Sequence, residues 1–325
     1  MTDSGEWEIP AAAQPKEEDV DFDLDRALSS VLSLRTEIPE DAFTASILGT
    51  ERDGNGVVID DNGLILTIGY LITEAESVWL VTGDGTAVSG HVVAYDQTTG
   101  FGLVQPLGRL GVPALEIGTS RDARIGDRAI VAGWGGRRHA LNVEVSSKRE
   151  FAGYWEYVLD EAIFTAPPHP HWGGAALIGP GGRLMGVGSL LVQDAEEGEV
   201  TGQGNMFVPI DLLEPILDDL LSLGRVDTPP RPWLGMYTTE AEGHLVVAGL
   251  ARDAPAHQAD IRVGDIVLEV ADVPVQDLVD MFRRIWALGP AGTVIPLTVS
   301  RGDQEVKMQV HSADRNAFLK SPGFH

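Results

Sequence analysis

The chain has 325 residues, no cysteine and a formal net charge of −26. Without cysteine there is no disulfide, no thiolate nucleophile and no thiolate-held zinc. Acidity on this scale excludes a Lys/Arg grip on phosphate, and with it nucleic acid and anionic lipid as partners.

Residues 1–20 are acidic and polar, with two prolines, and are expected to be disordered. Leu24, Leu28, Val31 and Leu34 then recur at helical spacing, which predicts a short amphipathic helix over about 23–34. From about 43 to 210 short apolar, β-branched runs alternate with glycine-rich turns, as in GNGVVIDDNGLILTIGYLI and SVWLVTGDGTAVSGHVVAYD. Many short strands with turn signals predict an all-β sandwich or barrel. DDNGL and TGDGT read as hairpin turns with glycine where positive φ is needed. DLLEPILDDLLSLG predicts a helix over 211–224, stopped by Gly224. The prolines of VDTPPRP make 225–230 a linker. A second domain follows over 231–312, with strands HLVVAGL, DIVLEV, VIPLTV and EVKMQV and a helix over 277–288. The tail, 313–325, is polar and expected to fray. No apolar run approaches about 20 residues, so no spanning helix is expected. MTDSGEWEIP shows no basic-then-apolar leader. That makes a cytoplasmic location the default, and a periplasmic or other extracytoplasmic one the expectation if a leader precedes it.

GNGVVIDDNGLILT resembles the start of the protease domain in the HtrA/DegP family of serine proteases, which reads like G-S-G-V-I-I-D, a turn, then I-L-T-N-x-H-V-V. VVAYDQTTGFGLVQ is similar to the family's V-V-x-x-D-x-x-T-D-I-A-L-L, and RIGDRAIVAG to its I-G-x-x-V-x-A-I-G. WGGAALIGPGGRLMGV resembles the nucleophile segment, MFVPI resembles F-A-I-P, and RPWLGM resembles the R-G-Y-L-G-I that opens the family's PDZ domain. The resemblance runs from about 45 to 311. It implies a mainly β chain: a chymotrypsin-like double β-barrel over 21–224, then an α+β PDZ domain over 231–312.

The same resemblance marks what is missing. Amide hydrolysis of this type needs a hydroxyl nucleophile, an imidazole base, a carboxylate to orient it and backbone N–H donors for the oxyanion. At the family's His position stands Tyr70, whose phenol is a poor base at neutral pH. At the Asp position stands Gly100, and at the Ser position Trp172. Pro170 takes the place of a glycine that donates an oxyanion N–H, and proline has none. The catalytic set is therefore read as empty, and the protein as a pseudoprotease. Tyr70 and Trp172 are expected to fill the former cleft, with Trp172 acting as a plug or packing on a neighbouring barrel.

Other candidates have plainer readings. His91 in SGHVV is expected on a surface or edge strand, and Asp96 in a turn. His169 and His171 form a pair, but no further ligands lie at motif spacing, so they read as a polar loop with no metal. Ser189 has no adjacent base. No cofactor is implied.

In the second domain Pro255, Ala256, Ala259 and Gly264-Asp265-Ile266 resemble the PDZ core, with Asp260 where glycine is usual. The resemblance makes Trp233-Leu234-Gly235-Met236 the carboxylate-binding loop. A protein C-terminus or unfolded peptide would add there as a strand, against a helix carrying Leu278, Met281, Phe282, Ile285 and Leu288. That stripe equally suits a core face. The tail FLKSPGFH competes for the same groove. Three functions follow as alternatives: an inactive peptide-binding scaffold, an active serine endopeptidase in protein quality control, and a holdase-type chaperone. A homo-oligomer, a trimer by family resemblance, is implied for the barrel domain.

Overall fold

A computed structural model describes residues 8–193, 195, 202–302 and 304–320. The chain divides into two units. One comprises 1–149, 161–226 and 320–325; the other comprises 150–160 and 227–319.

In the first unit six strands close a barrel: β1 (Val31–Glu37), β2 (Glu51–Val58), β3 (Ile65–Ile68), β4 (Ser77–Val81), β5 (Ala87–Tyr95) and β6 (Phe101–Pro106). Their order round the barrel is β1-β2-β3-β6-β5-β4. A second barrel is made by β7 (Arg128–Ala132), β8 (Ala140–Gly153), β9 (Tyr157–Ala166), β10 (Ala176–Ile178), β11 (Leu184–Val192) and β12 (Gly204–Pro209). Its order is β10-β11-β12-β9-β8-β7. Closure leaves no sheet edge open in either barrel. Alternate residues fill each interior, such as Leu32 and Leu34 on β1 and Val143 and Val145 on β8, all buried. Gly63 and Gly85 hold φ near 82° and 85° in the turns after β2 and β4, as their sequences required.

The helix expected over 23–34 is shorter. Asp23 caps it by accepting from the Arg26 N–H at 3.0 Å, and it spans only Leu24–Ser29. From Val31 the chain is strand, paired with both β2 and β4. Leu28, Val31 and Leu34 happen to be three apart. The period that prevails is two, through Leu32, Leu34 and Thr36, because barrel pairing satisfies this backbone. The N-terminal expectation is corrected as well. Ile9 is 3% exposed within the second barrel's core, and its N–H donates to the Arg138 carbonyl at 2.8 Å. One buried isoleucine and main-chain pairing are enough to order residues 8–20 against composition. Residues 1–7 lie outside the described residues. The helix expected over 211–224 begins as a 3₁₀ turn at Ile210–Leu212 and continues as Glu214–Leu223, with Gly224 left-handed at φ 70°.

The second unit holds β13 (Met236–Ala241), β14 (His244–Leu250), β15 (Ile266–Val270), β16 (Val273–Pro274), β17 (Val294–Arg301) and β18 (Gln304–His311). The sheet order is β13-β14-β15-β17-β18, with β16 beside β15, so β13 is an edge strand. A helix, Leu278–Ala287, is capped by Asp277 through the Asp280 N–H at 2.7 Å. It buries Leu278, Met281, Phe282 and Ile285 against Leu234, Val267, Ile295 and Val299. Asp260, where glycine was expected, keeps the left-handed conformation at φ 62°. Arg262 and Arg301 both bind its carboxylate.

Two boundaries differ from expectation. Residues 150–160, the distal end of the β8–β9 hairpin, belong to the second unit rather than to a barrel domain ending at 224. The tail is ordered further than expected. Ala313 and Trp233 exchange both main-chain hydrogen bonds at 3.0 Å, and Arg315–Phe318 forms a 3₁₀ turn that puts Phe318 on the Trp233 ring. Residues 321–325, and with them most of the proposed competitor FLKSPGFH, lie outside the described residues.

Candidate functional site

Arg52 on β2 underlies the turn that carries Tyr70. Its guanidinium is buried and donates to the carbonyls of Tyr70 at 2.6 Å and Thr73 at 3.0 Å, and to Thr44 Oγ1 at 2.8 Å. Glu74, also buried, accepts from the Phe43 and Thr44 N–H groups at 3.0 and 2.7 Å. Burial pulls Arg52 down to about 10, opposed by the nearby Glu74 carboxylate. It remains a cation at neutral pH, and so keeps the 3₁₀ turn Gly69–Leu71 in place.

That turn gathers the positions that the family resemblance singled out. The Tyr70 hydroxyl donates to the Ser189 carbonyl at 3.0 Å, and Trp172 lines the same cavity. Burial holds the phenol well above its usual range, so a phenolate base is out of reach near neutrality. The Gly69 N–H donates to the Gly100 carbonyl at 2.7 Å, which sets Gly100, with no side chain, beside Tyr70. A β-carbon on Gly173 would stand 2.8 Å from the Tyr70 hydroxyl oxygen. Tyr70, Gly100 and the Trp172–Gly173 segment therefore meet in one place.

The 169–174 loop is held by side chains that sequence reading did not single out. Asn55 on β2 donates its amide to the His171 and Gly173 carbonyls, both at 3.0 Å, and accepts the Trp134 N–H at 2.8 Å. Asn205 on β12 accepts the His169 N–H at 2.6 Å and donates to the His169 carbonyl at 3.2 Å. Gly174 takes φ 73°, and a β-carbon there would lie 1.9 Å from the Asn55 carbonyl oxygen. The glycine pair is thus required by close approach, whatever the nucleophile position holds.

His169 is fully buried, which corrects the expectation of a polar loop. The His171 N–H donates to its Nδ1 at 3.1 Å, so Nε2 carries the proton and donates to the His139 carbonyl at 3.0 Å. Burial lowers its pKa to about 4. Both ring nitrogens serve main-chain groups, leaving neither to act as a base. Ser33 and Ser189, the hydroxyls near this end, make no hydrogen bond to an imidazole among the described residues. A cavity of about 480 Å³ remains, lined by Asn55, Tyr70, Trp134, His139, His171 and Trp172 among others. The expected filling is therefore incomplete: Tyr70 bonds to the wall through the Ser189 carbonyl, and Tyr70 and Trp172 line the space without closing it.

The remaining candidates fall elsewhere. His91 is half-buried on β5, which pairs on both sides with β4 and β6, so it is not on an edge. The Asp96 carboxylate accepts the Thr99 N–H and hydroxyl, both at 2.7 Å, as a turn residue. Among the described residues no group of three or more His, Asp or Glu is placed to hold a metal ion.

In the second unit, Leu234, Gly235 and Met236 turn their N–H groups toward one point. Gly235 is left-handed at φ 70°, and a β-carbon there would lie 2.4 Å from the Ala254 methyl. Trp233 does not join them: its N–H goes to Ala313, and its ring is buried under Phe318. The three N–H groups converge on the carboxylate of Glu156, at 3.1, 2.7 and 3.1 Å from Oε1. Leu278, Met281, Phe282 and Ile285 are all buried. They share a cluster with Val158, two residues beyond Glu156.

A trypsin-like peptidase domain model matches residues 54–187, and a PDZ domain model matches residues 232–311. The serine endoprotease DegS of Escherichia coli strain K12 is 26% identical over 275 residues, covering 79% of this chain and 75% of that protein. The chain thus pairs a trypsin-like peptidase domain with a PDZ domain, as in the HtrA-type proteases it is similar to. Serine protease PepD of Mycobacterium tuberculosis is 27% identical over 313 residues, or 88% of this chain and 64% of that protein. Among solved structures, the serine endoprotease from Yersinia pestis superposes with TM-score 0.52 at 24% identity, over 91% of this chain and 99% of that one. The HtrA-type protease AlgW with a decapeptide gives 0.52 at 20% identity, over 92% and 98%. These likenesses show the HtrA-type fold, a double barrel and a PDZ domain. Among the described residues no helix is long and apolar enough to cross a membrane.

Proposed function

We propose that this HtrA-family chain is proteolytically inert and acts as a scaffold, recruiting protein C-termini or unfolded peptides through its PDZ domain. The carrying observation is that Tyr70, Gly100 and Trp172 meet in one place, where the family resemblance calls for His, Asp and Ser. Pro170 supplies no oxyanion N–H at the same loop. Loss of Ser or His alone in such a site costs on the order of a millionfold in kcat, and the residual rate depends on the oxyanion hole. Three convergent N–H groups at Leu234–Met236 support carboxylate capture. The solved relative with a bound decapeptide adds peptide recognition within the family. Assembly into a homo-oligomer, by resemblance a trimer, is part of the proposal.

Incubation with a fluorophosphonate probe and with casein tests the first half: neither labelling nor cleavage is expected. Active-site labelling would establish the alternative, a working endopeptidase like the named relatives. Light scattering tests the assembly.

A further inference from the structure

The carboxylate loop already holds a carboxylate of this chain. Glu156 is 8% exposed and receives the N–H groups of Leu234, Gly235 and Met236; the Leu234 N–H also lies 3.1 Å from its second oxygen, Oε2. Arg315 adds a favourable charge. This is the environment a PDZ loop offers to a ligand's terminal carboxylate.

The neighbouring residues also imitate a bound peptide. The Thr238 N–H, on the open edge of β13, donates to the Tyr154 carbonyl at 3.3 Å, the kind of bond an added strand makes. The Tyr154 and Tyr237 rings meet edge to face at 6.0 Å. Val158 enters the apolar cluster under the Leu278–Ala287 helix. Arg283 on that helix binds Asp160 at 2.7 Å and Glu150 as well, holding both ends of the segment. Glu156 itself is left-handed at φ 63°, a conformation that costs a non-glycine residue on the order of 1 kcal/mol. Glu156 closes the three-residue loop between β8 and β9, where a left-handed last residue is the usual solution. The same conformation aims the side chain into the carboxylate loop.

Resting on the peptide-binding reading above, we propose that Glu156 is the resident ligand of this PDZ domain. The side-chain carboxylate and the 150–160 segment occupy the groove, and an incoming protein C-terminus binds by displacing them. Recognition is then a competition for one set of three N–H donors. The apparent affinity for an external C-terminus is lowered by the fraction of molecules with the segment docked. The device needs no partner to keep the groove shut, and it reserves binding for ligands that exceed the internal one.

The test uses the full chain with a fluorescein-labelled pool of decapeptides, free at the carboxylate and randomised at the last three positions. The same pool, C-terminally amidated, is the control. Fluorescence polarisation is expected to show Glu156→Ala binding the free-acid pool on the order of tenfold more tightly than the parent, with no binding of the amidated pool. Arg283→Ala loosens the segment without touching the loop, and is expected to give a smaller gain in the same direction. That variant keeps the test decisive should Glu156→Ala fold poorly. Equal affinity for the free-acid pool in parent and variants overturns the resident-ligand assignment and leaves peptide binding standing. No binding by any of the three overturns both.

Discussion

Asn55→Ala removes the side chain on which the 169–174 loop hangs. Three hydrogen bonds are lost: two donated to the His171 and Gly173 carbonyls and one accepted from the Trp134 N–H. Their consequences differ. The Gly173 carbonyl keeps the Asn55 main-chain N–H at 2.8 Å, and the exposed His171 residue lets its carbonyl turn to water. The Trp134 N–H is the group left without its acceptor, at about 1–3 kcal/mol if water cannot reach it. With about 1 kcal/mol for the remaining bonds, the loss is about 2–4 kcal/mol. For a unit of this size that lowers Tm by roughly 5–12 °C. Asn55→Asp keeps the shape and reverses the sense of donation, setting a carboxylate against two carbonyl oxygens. At pH 7 it should destabilise at least as much as alanine, and part of the loss should return in acid, where the carboxyl can donate one bond. Urea unfolding followed by tryptophan fluorescence reads both. If both variants fall within about 0.5 kcal/mol of the parent, the loop is held by something other than Asn55 and the argument fails.

Gly174→Ala should be among the most destabilising small substitutions, through both the left-handed φ of 73° and the 1.9 Å approach to the Asn55 carbonyl. Gly83→Ala, where nothing lies within 4 Å, should be close to neutral in the same melting assay. His169, facing His139 and His171, is pulled by burial from 6.5 to about 4. A base with a depressed folded pKa contributes stability above its unfolded value that is lost as pH falls through the folded one. Stability should therefore decline between pH 6.5 and about 4, by up to roughly 3 kcal/mol, and His169→Gln should flatten that limb of the pH–stability curve. Glu156 is pushed by burial from 4.5 up to about 7, against the pull of three N–H donors and Arg315. An acid raised in this way favours docking most below pH 4.5 and loses that contribution as pH rises through about 7. The parent's affinity for the free-acid peptide pool should therefore rise from about pH 5.5 to about pH 8 relative to Glu156→Ala. An unchanged ratio across that range would show that the buried carboxyl does not govern docking.

Much of the architecture was legible in one dimension, because strands and turns write themselves locally. Alternating apolar residues, glycines at Gly63 and Gly85, and the prolines of the linker gave the barrels, their hairpins and the start of the PDZ domain. The identities Tyr70, Gly100, Pro170 and Trp172 were equally plain, since the side-chain chemistry a position offers can be read from the residue that stands there. What could not be read depends on partners distant in sequence. Ile9 is ordered by a barrel core more than a hundred residues away, and composition carries no trace of that contact. Val31 and Leu34 belong to a strand because β2 and β4 supply hydrogen bonds, while their spacing suits a helix. Asn55, Asn205 and Arg52 act through carbonyls brought to them by closure of the barrels. Glu156 looks like any acidic hairpin residue until folding sets it before Leu234, Gly235 and Met236, some 80 residues later. Residue identity determined what stands where the family resemblance calls for His, Asp and Ser; only the tertiary structure decided which carboxylate meets those N–H groups, because convergent donors exist only where separate segments of backbone come together.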